Sequence, residues 1–142
     1  MLKNVQLRYV KPVHFGDSSE VEADQINWVG RSNELMASLN ELRSRANIGP
    51  HILDVRGLGL MMAVEFASPS SVSAHDPNVC AGAPKNLANR VTKRCLEKGM
   101  LILTTSVYEV VRFIPPLNIS AQEMARGIEI FTQAVEEVIR EG

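Results

Sequence analysis

A two-layer α/β (α+β) fold, a short sheet crossed by amphipathic helices, is predicted by three features of this sequence. Apolar residues recur at helical spacing in three stretches, beginning near Ser32, near Pro84 and after Ser120. Runs dense in β-branched and other apolar residues lie between them, at 51–66, 100–105 and 109–114. Glycine or proline stands at most of the boundaries. From residue 28 the order is therefore helix, strand, helix, strand, strand, helix, and striped helices of this kind bury their apolar side on a sheet. A chain of 142 residues supports one hydrophobic core. No internal repeat divides it, and neither side of the loop near residue 75 would bury much alone.

Residues 1–27 carry no sustained period, and Gly16, Asp17, Ser18 and Ser19 read as a turn. Lys3, Arg8 and Lys11 without an acid in the first sixteen residues share the bias of a mitochondrial leader, but serine is absent, proline is present and VQLRYV reads equally as a strand. The first helix is expected from Ser32 as cap, with Leu35, Leu39 and Leu42 inward and Asn47, Gly49 and Pro50 as its stop. HILDVRGLGLMMAVEF, 51–66, is too continuously apolar for a wet strand and is predicted as one core strand. Gly57 and Gly59 near its beginning point to a bulge, a tight bend or close approach of another backbone. They form no nucleotide fingerprint, which needs a third glycine and a following helix.

Residues 67–85, rich in Ser, Ala, Pro, Asp and Asn, are predicted as a long loop. Pro84 suits the first turn of a second helix burying Leu87, Ala88, Val91 and Cys95, with Gly99 as its left-handed stop. Two short strands follow, 100–105 and 109–114, linked near Ser106–Tyr108. Pro115 and Pro116 end the second, because proline cannot donate to a ladder. Ser120 and Glu123 have the spacing of a capping box. The last helix is expected to bury Met124, Ala125, Ile128, Phe131, Val135 and Val138, with Glu129, Glu136, Glu137 and Arg140 on its wet side.

Composition narrows the function. Fifteen basic against sixteen acidic residues, a formal charge of −1, give no reason to expect a nucleic-acid partner. No run reaches the roughly 18 apolar residues of a membrane helix. Cys80 and Cys95 make neither a disulfide framework nor, with the three histidines, a zinc pattern. Cys95 is expected as a buried thiol. The expected setting is reducing and cytoplasmic, with a mitochondrial one left open by the basic start.

One residue does not fit a plain core. Arg112 lies among Val110, Val111, Phe113 and Ile114, and a charge in such company is costly unless paired. Alternation puts it on the same face as Val110 and Ile114. Pattern alone leaves three readings: it snorkels to water or pairs with a glutamate, its planar fork receives a carboxylate bidentately, or it makes an interface ion pair.

The strings ILDVRGLGLMMAVEF, KRCLEKGMLILTTSVYEVVRFIPPLNIS and EMARGIEIFTQAVEEVIREG resemble the C-terminal small domain of the class III aminotransferases. These are fold-type I, pyridoxal-phosphate-dependent omega-aminotransferases. The similarity is greatest to 4-aminobutyrate aminotransferase and its relatives. It covers residues 28–142, and residues 1–27 depart from what precedes that domain in the family. It implies a short, mainly antiparallel sheet covered by helices. It also implies that Arg112 matches the arginine that binds the substrate carboxylate. Asp54, Arg56, Gly57 and Gly59 then match a structural turn beside the active-site mouth, with an Asp54–Arg56 pairing left open. Pro115 and Pro116 match the rigid exit from the arginine strand, and a guanidinium so mounted loses little entropy on gripping a carboxylate.

The resemblance further implies an amino acid and a 2-oxo acid as small-molecule partners, a homodimer, and pyridoxal phosphate as cofactor of the full-length enzyme. The Schiff-base lysine, the pyridine-nitrogen aspartate, the stacking aromatic and the phosphate-binding groups have no counterpart in this sequence. Lys3, Lys11, Lys85, Lys93 and Lys98 fall outside the family's lysine motif. The expectation is therefore a fragment that does not transaminate or hold the cofactor tightly alone. The rivals are a non-catalytic domain docking on a full-length aminotransferase and, from another class, a small amino-acid sensor.

Overall fold

The computed structural model describes residues 28–69, 83–105 and 108–142. The expectations for residues 1–27, for Cys80, for most of the 67–85 loop and for the link at Ser106 lie outside these.

Helix α1, Trp28–Ser44, begins four residues before the expected start. Ser32 is therefore no cap: it lies inside the helix, and its Oγ donates to the Gly59 carbonyl at 2.7 Å. Leu35, Leu39 and Leu42 are buried as their spacing predicts. The chain leaves the helix through bonds from Ile48 and Gly49 N–H to the Arg45 carbonyl, then makes a 3-10 turn at Gly49–His51.

The 51–66 stretch is a hairpin and not one strand. Strand β1, Ile52–Leu58, and strand β2, Met61–Phe66, pair antiparallel across the two-residue turn Gly59–Leu60. Gly59 has φ +59°, the left-handed conformation that such tight hairpin turns require and glycine accepts most readily. Leu60 is buried although it sits in the turn, so the apolar run continues straight through the reversal and conceals it. At Gly57 the expected close approach is real: a Cβ there would lie 2.3 Å from the Met61 carbonyl oxygen and 2.6 Å from Met62 Cα.

Helix α2, Leu87–Glu97, starts after Pro84, which lies outside its first turn. It buries Leu87, Ala88, Val91 and Cys95 as expected, and Gly99 stops it at φ +89°. Burial pushes the Cys95 thiol up to about 11, so it is a packed neutral group and not a nucleophile. Strands β3, Leu103–Thr104, and β4, Val110–Phe113, are shorter than predicted but antiparallel and in the expected order.

Helix α3, Ala121–Arg140, carries the predicted capping box. Ser120 Oγ accepts from Glu123 N–H at 3.2 Å, and Glu123 Oε2 accepts from Ser120 N–H at 3.0 Å. Met124, Phe131, Val135 and Val138 are buried, joined by Ile130 and Ala134. Ala125 is exposed, contrary to expectation, because the stripe has turned past it at the first helical turn. Glu136 and Glu137, expected on the wet side, tie the helices together. Arg45 reaches Glu136 at 2.8 Å, and Arg94 and Lys98 reach Glu137 at 2.9 and 2.7 Å. Lys98, and then Arg94, hold the Glu137 carboxyl below its ordinary value.

The sheet order is β1-β2-β4-β3, every neighbour antiparallel. Met62, Val64 and Phe66 of β2 and Val111 and Phe113 of β4 are buried and pack with the helices into one core. Arg56, Leu58, Met61, Leu103 and Arg112, on the opposite face, are exposed. No helix among the described residues is long and apolar enough to cross a membrane.

Candidate functional site

The open face of the sheet is organised in rows, since directly paired residues project to the same side. One row runs Arg56, Ala63, Arg112, Leu103 across the four strands. The next carries Asp54, Glu65 and Val110. Two guanidiniums thus share a row with only a methyl side chain between them, and their circumstances differ.

Arg56 is occupied. Its Nη1 donates to Asp54 Oδ2 at 3.0 Å and to Glu65 Oε2 at 2.5 Å. Glu65 first, and Asp54 second, raise its already high pKa. The Asp54–Arg56 pairing left open by the sequence is formed. Glu65, which sequence reasoning missed, is the closer partner. Only the hairpin register brings it there, so a strand reading of 51–66 had no way to find it. Asp54 also faces Arg43 of α1 at 3.8 Å.

Among the described residues nothing occupies Arg112. It is exposed and has no hydrogen bond or ion pair among the described residues. Of the three sequence readings, pairing with a glutamate is thereby set aside for the described part of the chain. The expected desolvation cost is avoided as well: Val111 and Phe113 point into the core, and Arg112 points to the other side. Val110, on its own face, is buried, and Ile114 is 55% exposed.

Pro115 and Pro116 follow the strand as predicted, and the chain then turns through a bond from Ile119 N–H to the Pro116 carbonyl. Arg112, Ile114, both prolines, Met124 and Gly127 border a shallow groove of about 300 Å³. A larger cleft of about 540 Å³ between α1 and α3 is lined by Glu34, Arg45, Glu129 and Gln133 among others, and its Arg45 is taken by Glu136.

The backbone that presents Arg112 is fixed by a residue with no sequence signal. Glu109 accepts the Phe66 N–H on its carbonyl at 2.7 Å and the Ala88 N–H on Oε2 at 2.8 Å. Asn86, at the start of α2, is left-handed and makes no side-chain cap, so the glutamate caps that helix from a distance in sequence. Replacing Glu109 with Ala is expected to cost about 1–2 kcal/mol, leaving the Ala88 N–H without its acceptor. A urea titration reads this directly, with Glu109→Gln, which keeps an acceptor, between the two.

No cluster of metal-ligating side chains occurs among the described residues. Among the described residues the fit to pyridoxal phosphate fails on the donor set of these two clefts: neither is lined by a lysine, and Lys98 is held by Glu137 at 2.7 Å. These residues supply no attachment for the cofactor.

The family profile described as aminotransferase class-III matches residues 21–135. The acetylornithine aminotransferase of Haemophilus ducreyi is 32% identical over 105 residues, which is 74% of this chain and 22% of that protein. The 4-aminobutyrate aminotransferase of Escherichia coli is 30% identical over 116 residues, 80% of this chain and 25% of that protein. The fold superposes with a TM-score of 0.63 and 20% identity on a Vibrio fluvialis aminotransferase solved in its PMP-bound form, covering 81% of this chain and 23% of that one. The chain thus spans about a quarter of the length of the relatives it matches. By the extent of the profile match and by these identities, the chain belongs to the class III aminotransferases.

Proposed function

We propose that residues 28–142 are the small C-terminal domain of a pyridoxal-phosphate aminotransferase, and that Arg112 binds the substrate carboxylate. The whole enzyme would move an amino group from 4-aminobutyrate or a similar omega-amino acid to a 2-oxo acid. The cofactor and its lysine would come from the part of the protein that this chain lacks. What supports the reading is Arg112 itself: an arginine in the middle of a strand, exposed, without a partner among the described residues, beside an arginine that already holds two carboxylates. A planar fork on a strand that Phe113 anchors in the core and two prolines terminate is preorganised for bidentate contact with a carboxylate. Its function is to orient that end of the substrate so that the amino end meets the cofactor.

The test is a titration of the isotopically labelled chain with 4-aminobutyrate and with 2-oxoglutarate, using the uncharged amide of 4-aminobutyrate as control. Backbone amide shifts are expected at Arg112 and its row neighbours Ala63 and Leu103, saturating in roughly the millimolar range. They should vanish in Arg112→Ala, which leaves an exposed site and the fold intact. Equal shifts with the amide, or in the variant, would overturn the reading.

A second reading has its own observation. Leu58 is 89% exposed and Met61 62%, side by side at the hairpin tip. Such a corner suits a non-catalytic chain that docks on a full-length aminotransferase. Co-elution with such a subunit on gel filtration, without carboxylate-dependent shifts, would favour it.

A further inference from the structure

We propose that the start of α1 and the tip of the β1–β2 hairpin form a clasp that sets the Arg112 row relative to that helix. Its functional consequence rests on the carboxylate reading of Arg112; the clasp itself does not.

Trp28 and Ser32 are four residues apart and lie on one side of the helix. Both meet the same residue of the turn. Ser32 Oγ donates to the Gly59 carbonyl at 2.7 Å, and a Cβ built on Gly59 would lie 3.7 Å from Cζ3 of the Trp28 ring. A serine inside a helix ordinarily returns its hydroxyl to the carbonyl four residues before it. Here the hydroxyl goes to a residue 27 positions further along the chain. The turn carbonyl gains a donor, and the indole stands beside Gly59 at van der Waals distance from where a methyl group would sit. The clasp thus joins two elements distant in sequence through one hydrogen bond and an indole placed beside the turn.

The path from there to Arg112 is short. Gly59 and Leu60 lead into β2, whose Ala63 pairs directly with Arg112. Strand β2 is also the strand that stands between β1 and β4. A displacement of the hairpin tip therefore tilts the strand on which Arg112 is registered. Ser32 and Trp28 are positioning residues in this scheme: they touch neither substrate nor cofactor, and they fix the angle at which the arginine row meets α1.

The chain has one tryptophan, so its fluorescence reports the clasp. Ser32→Ala is expected to red-shift Trp28 emission and increase its quenching by acrylamide. The same variant should move the backbone amide resonances of Ala63 and Arg112, while Ser32→Thr, which keeps the hydroxyl, restores both. Trp28→Phe, which keeps a ring over Gly59, should leave those two amides in place, and Trp28→Ala should shift them. Unchanged emission in Ser32→Ala overturns the clasp. Changed emission with unmoved Ala63 and Arg112 amides, or no rescue by threonine, overturns the coupling. Failure of the carboxylate reading would appear in the titration with 4-aminobutyrate and leave every one of these signals as expected.

Discussion

Truncating Phe131 to alanine is expected to lower the stability of the fold by about 4 kcal/mol, within the range for emptying a buried phenylalanine site. Phe131 is 1% exposed on α3 and meets both central strands at once. Its ring stands edge-on to Phe113 of β4, with centroids 4.8 Å apart and planes at 78°. It also lies 6.5 Å from the ring of Phe66 on β2. Removal loses the buried area and two aromatic pairs, each worth roughly 0.5–1.5 kcal/mol beyond that area. Nothing nearby can collapse into the gap cheaply, since the surrounding strands are locked to each other by their ladder. For a chain of this size each kcal/mol moves the melting temperature by about 3–5 °C, so a fall of about 15 °C is the expected reading. Phe131→Leu, which keeps most of the volume, should lose only about 1.5 kcal/mol. A loss below about 1 kcal/mol for the alanine variant would mean that α3 is not seated on the sheet as described. The consequence reaches the site, because Phe113 adjoins Arg112 and is the residue that anchors that strand in the core.

What could be read from the sequence, and what could not, divides along the range of the interactions. The stripes of α2 and α3, the capping box at Ser120 and the left-handed stop at Gly99 are local, set by residues within a turn or two of each other. Arg112 stands out because a charge in an apolar run is visible without knowing the fold, and the two prolines mark the end of its strand. The hairpin was hidden for a physical reason. Leu60 buries its side chain in the turn, so hydropathy never dips where the chain reverses. Without that reversal Glu65 could not be placed beside Arg56, nor could Ser32 be seen as anything but a cap. Glu109 was equally silent: a single glutamate before a strand signals nothing until the strand order brings it to the start of α2. Resemblance to a family supplied a role for Arg112. The partners that hold the row in place came only from three-dimensional pairing.

Gly57→Ala is the sharper probe of that pairing. In a strand, exchanging glycine for alanine normally helps, by about 0.4–1 kcal/mol, because the unfolded chain loses freedom. Gly57 has no positive φ, so backbone strain gives no reason to expect otherwise. The contact distances reverse the sign. The new methyl would sit 2.3 Å from the Met61 carbonyl oxygen and 2.6 Å from Met62 Cα, both backbone atoms of the opposing strand that cannot swing aside. Relief requires parting β1 from β2 at the tip, which breaks the register joining Gly57 to Met62 and Leu58 to Met61. A loss of about 3 kcal/mol is expected, the upper end for overpacking a tight site. Gly59→Ala makes the contrast. It meets only the Trp28 ring, at an ordinary 3.7 Å, but it must hold φ +59°, a strain of about 1–2 kcal/mol. The position with the unusual backbone should thus tolerate alanine better than the position with the ordinary one. Urea midpoints of the two variants decide it. If Gly57→Ala were neutral or stabilising, the close approach would be absent, and with it the hairpin that carries Ala63 to its place beside Arg112.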